Sequence, residues 1–474
     1  MNAHAAEPDE GEAPLPLGVD ADTGLPLPPI DARAFDAFGR RETERRRSPE
    51  AAAEKSRQSR TFALMGDVSA NELDQAGWGL VFASGTDPAP WLDALAPLVG
   101  RRREQAGARF RVFAGEQGCQ PGETASAWLT RHGASLNLVD PELGVPYYLA
   151  LVGSPQQIPY AFQYTLDLYW AVGRLDFAAP DELRHYADSV AAWEAANHAR
   201  ATLPGSVLFA TCHDFDRATR LLTRQLVGPL AETLGRRPDM AFHPVLAEAA
   251  TKAALREILR GKLTDGAPAL LFTGTHGVSL RADDPRQAGT QGAIVCQDWQ
   301  GYGAIGPDHW FGADDLPEDI HCHGMIYFCF ACYGAGVPEF DDFVQAQAPV
   351  RIAQACRTAR LPQRLLAHPD GGALAVLGHV DRAWAYSFQN TRAAPQTQGF
   401  RDVIGSLMRG DRIGHATDRF NLRWAALSTE LADLLRERQA GAMVPERELA
   451  QRWVMRDDAR NYVVLGDPAV RMQR

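Results

Sequence analysis

At 474 residues, with 45% hydrophobic and 23% charged residues, the chain has an ordinary globular composition and is too long for one small core. A net charge of −11 argues against nucleic-acid binding, and the longest apolar stretch, 325–332, is far short of the about 20 residues that span a bilayer. Seven cysteines without paired spacing read as thiols in a reducing compartment, and the acidic start lacks a secretory leader pattern, so a cytoplasmic location is expected.

Residues 1–60 read as a disordered segment, rich in Pro, Glu, Asp and Ala, with a basic cluster at Arg40, Arg41, Arg45, Arg46 and Arg47. The cluster reads as a solvated face, or as an exposed site where a pro-segment is processed. After residue 75, short apolar runs alternate with amphipathic stretches. The runs at 79–85, 110–115, 147–153, 206–212, 269–277, 325–334 and 373–380 predict strands. Most are unbroken, as expected of strands buried on both faces of a largely parallel sheet. Residues 216–234 and 252–263 carry Leu and Ile at helical spacing, with polar residues opposite. The fold class expected is therefore α/β, three layers with helices on both faces of a mostly parallel sheet. Leu203-Pro204-Gly205, after the helical stretch 180–201, predicts a boundary between a smaller N-terminal α/β subdomain (61–203) and a catalytic subdomain (204–474).

Two strand ends carry reactive side chains: Thr273-Gly274-Thr275-His276-Gly277 and Phe330-Ala331-Cys332-Tyr333-Gly334. In open α/β sheets the site lies beyond the carboxyl ends of the strands. A thiol becomes nucleophilic through a neighbouring base, and a histidine on an adjacent strand end supplies one. Gly277 allows close approach of a substrate backbone, and its N–H with that of Cys332 forms a candidate oxyanion hole. Each residue also has an ordinary reading, a buried apolar thiol and a hydrogen-bonded structural histidine. Cys329 competes as nucleophile. Its odd offset from Cys332 puts the two thiols on opposite faces of a strand, and it lies inside the apolar run. His321-Cys322-His323 lacks a second ligand pair, so no metal is expected there.

The order of apolar strand, His-Gly, apolar strand and Ala-Cys-x-Gly resembles the caspase-like cysteine peptidases, and the gingipain branch most closely. Tyr147-Tyr148-Leu149-Ala150-Leu151-Val152-Gly153 with Ile158-Pro159, and Asp167-Leu168-Tyr169 with Val172-Gly173-Arg174, are similar to that family's segments. So are Gly372-Ala373-Leu374-Ala375-Val376-Leu377-Gly378 leading to Trp384, and Leu465-Gly466-Asp467-Pro468 near the end. The resemblance implies His276 as base or acid and Cys332 as nucleophile, with Asp167 and Trp384 binding a basic side chain before the cleaved bond. A buried carboxylate suits a guanidinium, and an indole face suits a stacked cation. The stretch between Ile158-Pro159 and Asp167 holds no acidic residue to match the family's third catalytic group.

The function expected is a cysteine endopeptidase cutting after Arg, or Lys, without cofactor or metal, its partners being protein or peptide substrates rather than nucleic acid or membrane. Limited proteolysis by an upstream protease is expected to activate it, because the segment 278–318 between the catalytic strands reads as a long loop carrying Arg281 and Arg286. Intracellular bacterial relatives of this fold serve immune, antiviral or cell-death cascades. Two other readings stay open: a catalytically silent interaction module of the same fold, and an α/β hydrolase, although no Gly-x-Ser-x-Gly elbow is present.

Overall fold

The structure of the protein is a computed structural model that describes residues 15–28, 64–66, 68–196, 205–238, 240–301, 303–343, 349–389 and 395–472. In chain order the strands are β1 (Gly18–Asp20), β2 (Trp78–Phe82), β3 (Phe110–Phe113), β4 (Tyr148–Val152), β5 (Ala171–Leu175), β6 (Gly205–Ala210), β7 (Ala241–Leu246) and β8 (Leu270–Gly274). They continue with β9 (Gly277–Ser279), β10 (Ile294–Val295), β11 (Trp310–Phe311), β12 (Ile326–Phe330), β13 (Gly336–Val337), β14 (Arg357–Thr358), β15 (Ala375–His379) and β16 (Tyr462–Gly466).

A ten-stranded sheet runs in the order β3-β2-β4-β5-β16-β15-β12-β8-β6-β7. Its inner strands are mostly apolar because helices cover both faces, and every residue of β8, β12, β15 and β16 is buried. On one face Phe328 stacks on Phe400 at 5.8 Å, and Phe420 lies parallel to Tyr462 at 4.0 Å. The α/β class and mostly parallel sheet are as expected. All seven predicted runs contain strands, whereas β5, β7 and β16 were not read as such.

Every neighbouring pair in this sheet is parallel except β15 with β16. The sheet is thus two parallel halves running in opposite directions. The carboxyl ends of β6, β8, β12 and β15 therefore share an edge with the beginnings of β16 and β5. The division expected at 203–204 falls between β5 and β6, which belong to one continuous sheet, and β16, from near the far end of the chain, joins β5. Of the proposed boundary, Leu203 and Pro204 lie outside the described residues.

The segment 278–318 is not the open loop expected. It carries β9, β10 and β11, which with β1 form a four-stranded sheet over its own core of Val19, Ala21, Val278, Leu280, Val295, Trp299, Ile305 and Trp310. Strands of two or three residues give no periodicity to read, which is why it looked like loop. Residues 15–28, inside the stretch expected to be disordered, lie against the residues that follow β8, β12 and β15, while Arg40 to Arg47 fall outside the described residues. Among the described residues no helix is long and apolar enough to cross a membrane.

Candidate active site

The strand β8 ends at Gly274, and the next two residues are locked in place. The Thr275 hydroxyl donates to the Val295 carbonyl at 2.6 Å and accepts from the Thr211 hydroxyl at 2.7 Å. The Thr275 N–H donates to Phe330 O at 3.3 Å, and Val295 N–H donates to His276 O at 2.9 Å. His276 is fully buried by these ties. Its Nε2 lies 2.7 Å from Oδ2 of Asp216.

Asp216 was not read as a site residue. It caps the helix Arg217–Leu222, accepting from the N–H groups of Ala218 at 3.1 Å and Thr219 at 3.0 Å. Burial works against its charge, but the adjoining His276 ring and the Thr219 bonds hold its carboxyl well below the usual carboxylate range. Paired with an ionised Asp216, Nε2 carries a proton, so in the neutral ring Nδ1 is the basic nitrogen. Nδ1 is buried and has no hydrogen-bond partner among the described residues. The sequence signal for Asp216 was an ordinary one, an N-cap aspartate after a strand, and that local duty hid the second.

Cys332 follows β12 in a tight turn. Tyr333 takes φ of 58°, a left-handed conformation uncommon for a residue with a side chain. Cys332 Sγ accepts from Ala383 N–H at 3.3 Å. Burial pushes its thiol well up, so the resting sulfur is protonated. The loops bearing His276 and Cys332 touch through Gly277, where any Cβ would lie 1.8 Å from the Cys332 carbonyl oxygen. Only glycine fits, and the two amides converge as a result. Gly277 N–H and Cys332 N–H each donate to one oxygen, the carbonyl of Leu17, at 2.9 Å. A carbonyl cradled by two N–H groups beside a thiol is the arrangement an acyl-transfer site presents to its substrate.

Cys329, three residues earlier, is buried between Thr273 and Gly378 of the neighbouring strands, its thiol pushed up to about 11 by burial. His323 is turned to the Ser189 carbonyl and Cys322 to those of Leu365 and Gly371.

Asp167 ends the helix Tyr160–Leu166 just before β5, on the sheet edge shared with the carboxyl end of β15, and accepts from Val172 N–H at 3.2 Å. It borders a small cavity with Leu377, Thr417, Phe420, Asn421 and Tyr462. Trp384 is fully buried, its ring 5.3 Å from Phe343 and packed with Tyr386, Leu431 and Trp453. Its backbone, by contrast, pairs with Pro16. Beside it, Arg382 makes a buried ion pair with Asp341 and donates to the Pro28 carbonyl at 3.2 Å.

No family model matches the chain, and no curated protein matches it. Solved structures do. Gingipain R is among them. Its crystal structure, described as that of an Arg-specific cysteine proteinase, has 13% identity and a TM-score of 0.47 over 84% of this chain and 79% of its own. The complex of Porphyromonas gingivalis RgpB pro- and mature domains has 14% identity and a TM-score of 0.44, covering 84% of this chain and 80% of its own. The Saccharomyces cerevisiae separase–securin complex aligns at 10% identity with a TM-score of 0.30, over 68% of this chain and 16% of that one.

Proposed function

We propose that the chain is a cysteine peptidase with Cys332 as nucleophile, His276 as general base and acid, and Asp216 fixing the His276 ring. The observation that carries this reading is the pair of N–H groups, Gly277 and Cys332, on a single carbonyl oxygen next to the thiol. The thiol proton passes to Nδ1 of His276 and Sγ attacks the substrate carbonyl carbon. The two amides hold the oxygen as it gains charge. His276 then returns the proton to the departing amine, leaving a thioester that water hydrolyses. Asp216 keeps the ring in the tautomer this needs and stabilises the imidazolium. A catalytically silent module would require none of this alignment.

Two readings of the residue before the cleaved bond are open to one test. The resemblance to gingipain favours Arg or Lys, with Asp167 as charge partner; the position of Leu17 favours an apolar residue. Processing is part of the proposal, since Arg281 and Arg286 are exposed, and so is a place in a bacterial immune or cell-death cascade. Arg-, Lys- and Leu-aminomethylcoumarin peptides, offered before and after limited trypsin treatment, should show which residue is cut. If the charge partner is Asp167, Asp167→Ala lowers kcat/KM for the Arg peptide about a hundredfold, in line with loss of a desolvated ion pair. Cys332→Ala should abolish both turnover and chloromethyl ketone labelling, while Cys329→Ala retains them. Labelling that survives in Cys332→Ala overturns the assignment.

A further inference from the structure

The carbonyl oxygen between Gly277 and Cys332 belongs to the chain itself, and the residues around it run in the register of a bound peptide. Before it, Leu17 N–H donates to Ala383 O at 2.8 Å and Ala385 N–H donates to Leu15 O at 3.2 Å, so 15–17 pairs antiparallel with 383–385. After it, β1 pairs in parallel with β9, Gly18 opposite Gly277 and Asp20 opposite Ser279. Gly18 lies directly over the nucleophile: a Cβ there would be 2.9 Å from both Cβ and Sγ of Cys332. Leu17 and Val19 are fully buried.

We propose that residues 15–20 are a peptide ligand that the chain supplies to its own site, with the Leu17–Gly18 bond presented to Cys332. The groove between 383–385 and 277–279 is accordingly the site for an extended polypeptide with an apolar residue before the cleaved bond and glycine after it. The inference rests on the peptidase reading for its register, and on hydrogen bonds alone for its occupancy.

The geometry also explains how such a ligand survives. Attack of Sγ on the Leu17 carbonyl carbon forms a thioester and breaks the bond to Gly18, whose nitrogen takes the thiol proton through His276. Gly18 cannot leave. Its carbonyl accepts from Leu27 N–H at 2.8 Å, Asp20 N–H donates to Leu25 O at 2.9 Å, and Ala21 N–H donates to Ser279 O at 2.9 Å. Held beside the thioester, the amine returns to the carbonyl carbon, expels the sulfur, and gives the proton back. The peptide bond is restored faster than water, excluded by the buried strand, can reach it.

The test uses the full chain and iodoacetamide, with alkylation at Cys332 followed by peptide mass mapping. Gly18→Val places a side chain on Sγ. Leu17→Asp puts a carboxylate at a fully buried position that packs on the main core and not on the core of the small sheet, and so displaces the ligand. In each variant Cys332 should be alkylated about tenfold faster or more than in the wild type, as expected when a site mostly held in an occupied state is opened. Adding the peptide Leu-Pro-Leu-Gly-Val-Asp to the variants should slow it again. Equal rates in wild type and both variants overturn the proposal. If alkylation is released but neither variant cuts any aminomethylcoumarin peptide, the cis ligand stands and the peptidase reading falls.

Discussion

At the scale of single residues the site depends on side chains and backbone groups that each do two things. Asp216 closes a helix turn and holds His276; Gly277 lets two loops meet and supplies one of the two N–H groups. The duties of Asp216 can be separated. Asparagine caps a helix about as well as aspartate, so Asp216→Asn keeps the helix and removes only the charge facing Nε2. It should lower kcat/KM by roughly 10²- to 10⁴-fold with little change in KM, because the ring then loses its tautomer and its counter-charge. Stability adds an independent readout. A carboxyl held below its ordinary range stabilises the fold above the unfolded value of about 3.9, and that contribution fades as pH falls. The melting temperature of Asp216→Asn should therefore lag the wild type at pH 7, and the gap should begin to narrow below about pH 4 and go on narrowing as the pH falls further. A constant gap across that range would mean that the ion pair is not the cause.

At the scale of elements, legibility followed length. The runs that became β2, β4, β6, β8, β12 and β15 are unbroken and bounded by turn residues, so burial on two faces could be read directly. β16 was missed because Tyr462-Val463-Val464-Leu465 is an apolar run of only four residues, directly after the helix Glu446–Arg460, and so short a run alone does not distinguish strand from helix. His276, Gly277 and Cys332 could be singled out as candidates because sites lie at strand ends in an α/β sheet, and the structure brings the Gly277 and Cys332 N–H groups to one oxygen. Leu17 was not, because an apolar residue in a Pro-rich acidic stretch carries no local pattern, and its partners lie hundreds of positions away. The hairpin that follows it is fastened at Gly24, which has φ of 67° and where a Cβ would lie 1.8 Å from Gly303 O. Gly24→Ala combines that collision with a left-handed backbone costing about 1–2 kcal/mol for an L side chain. It should loosen β1 and raise the alkylation rate of Cys332 while the melting temperature, set by the ten-stranded sheet, hardly moves. Faster melting with unchanged alkylation would mean the hairpin belongs to the core and not to the site.

At the scale of the whole molecule, the two sheet halves are fastened where the chain returns. Asp467, just past β16, accepts from Arg102 Nε at 2.7 Å and from Trp78 Nε1 at 2.9 Å, both in the first half. Arg102 is fully buried and also reaches Glu194 at 2.6 Å, whose carboxyl it draws down to about 2 against the opposing effect of burial. Removing one member of such a group leaves the others charged and buried, at a cost of about 3–5 kcal/mol. A chain shortened to end at residue 460 loses both β16 and this anchor. It should show no cooperative urea transition and bind a hydrophobic dye, with β5 and β15 each left with an open edge. A sharp transition from the shortened chain would mean that the halves fold independently.

The place of β16 also bears on the order in which the molecule comes into being. It lies at the centre of the sheet, between β5 and β15, yet it leaves the ribosome after every other described strand. Synthesis runs from the amino end at roughly 5–20 residues per second, so the edge of β5 waits about 15–60 seconds, and that of β15 about 4–17 seconds, for the strand that joins them. During that wait the nascent chain has its thiol, its imidazole and the 15–20 segment already made, but not the assembled edge that aligns them. A nascent chain that still lacks β16 therefore has no assembled edge, and residues 15–20 are already made when that edge forms.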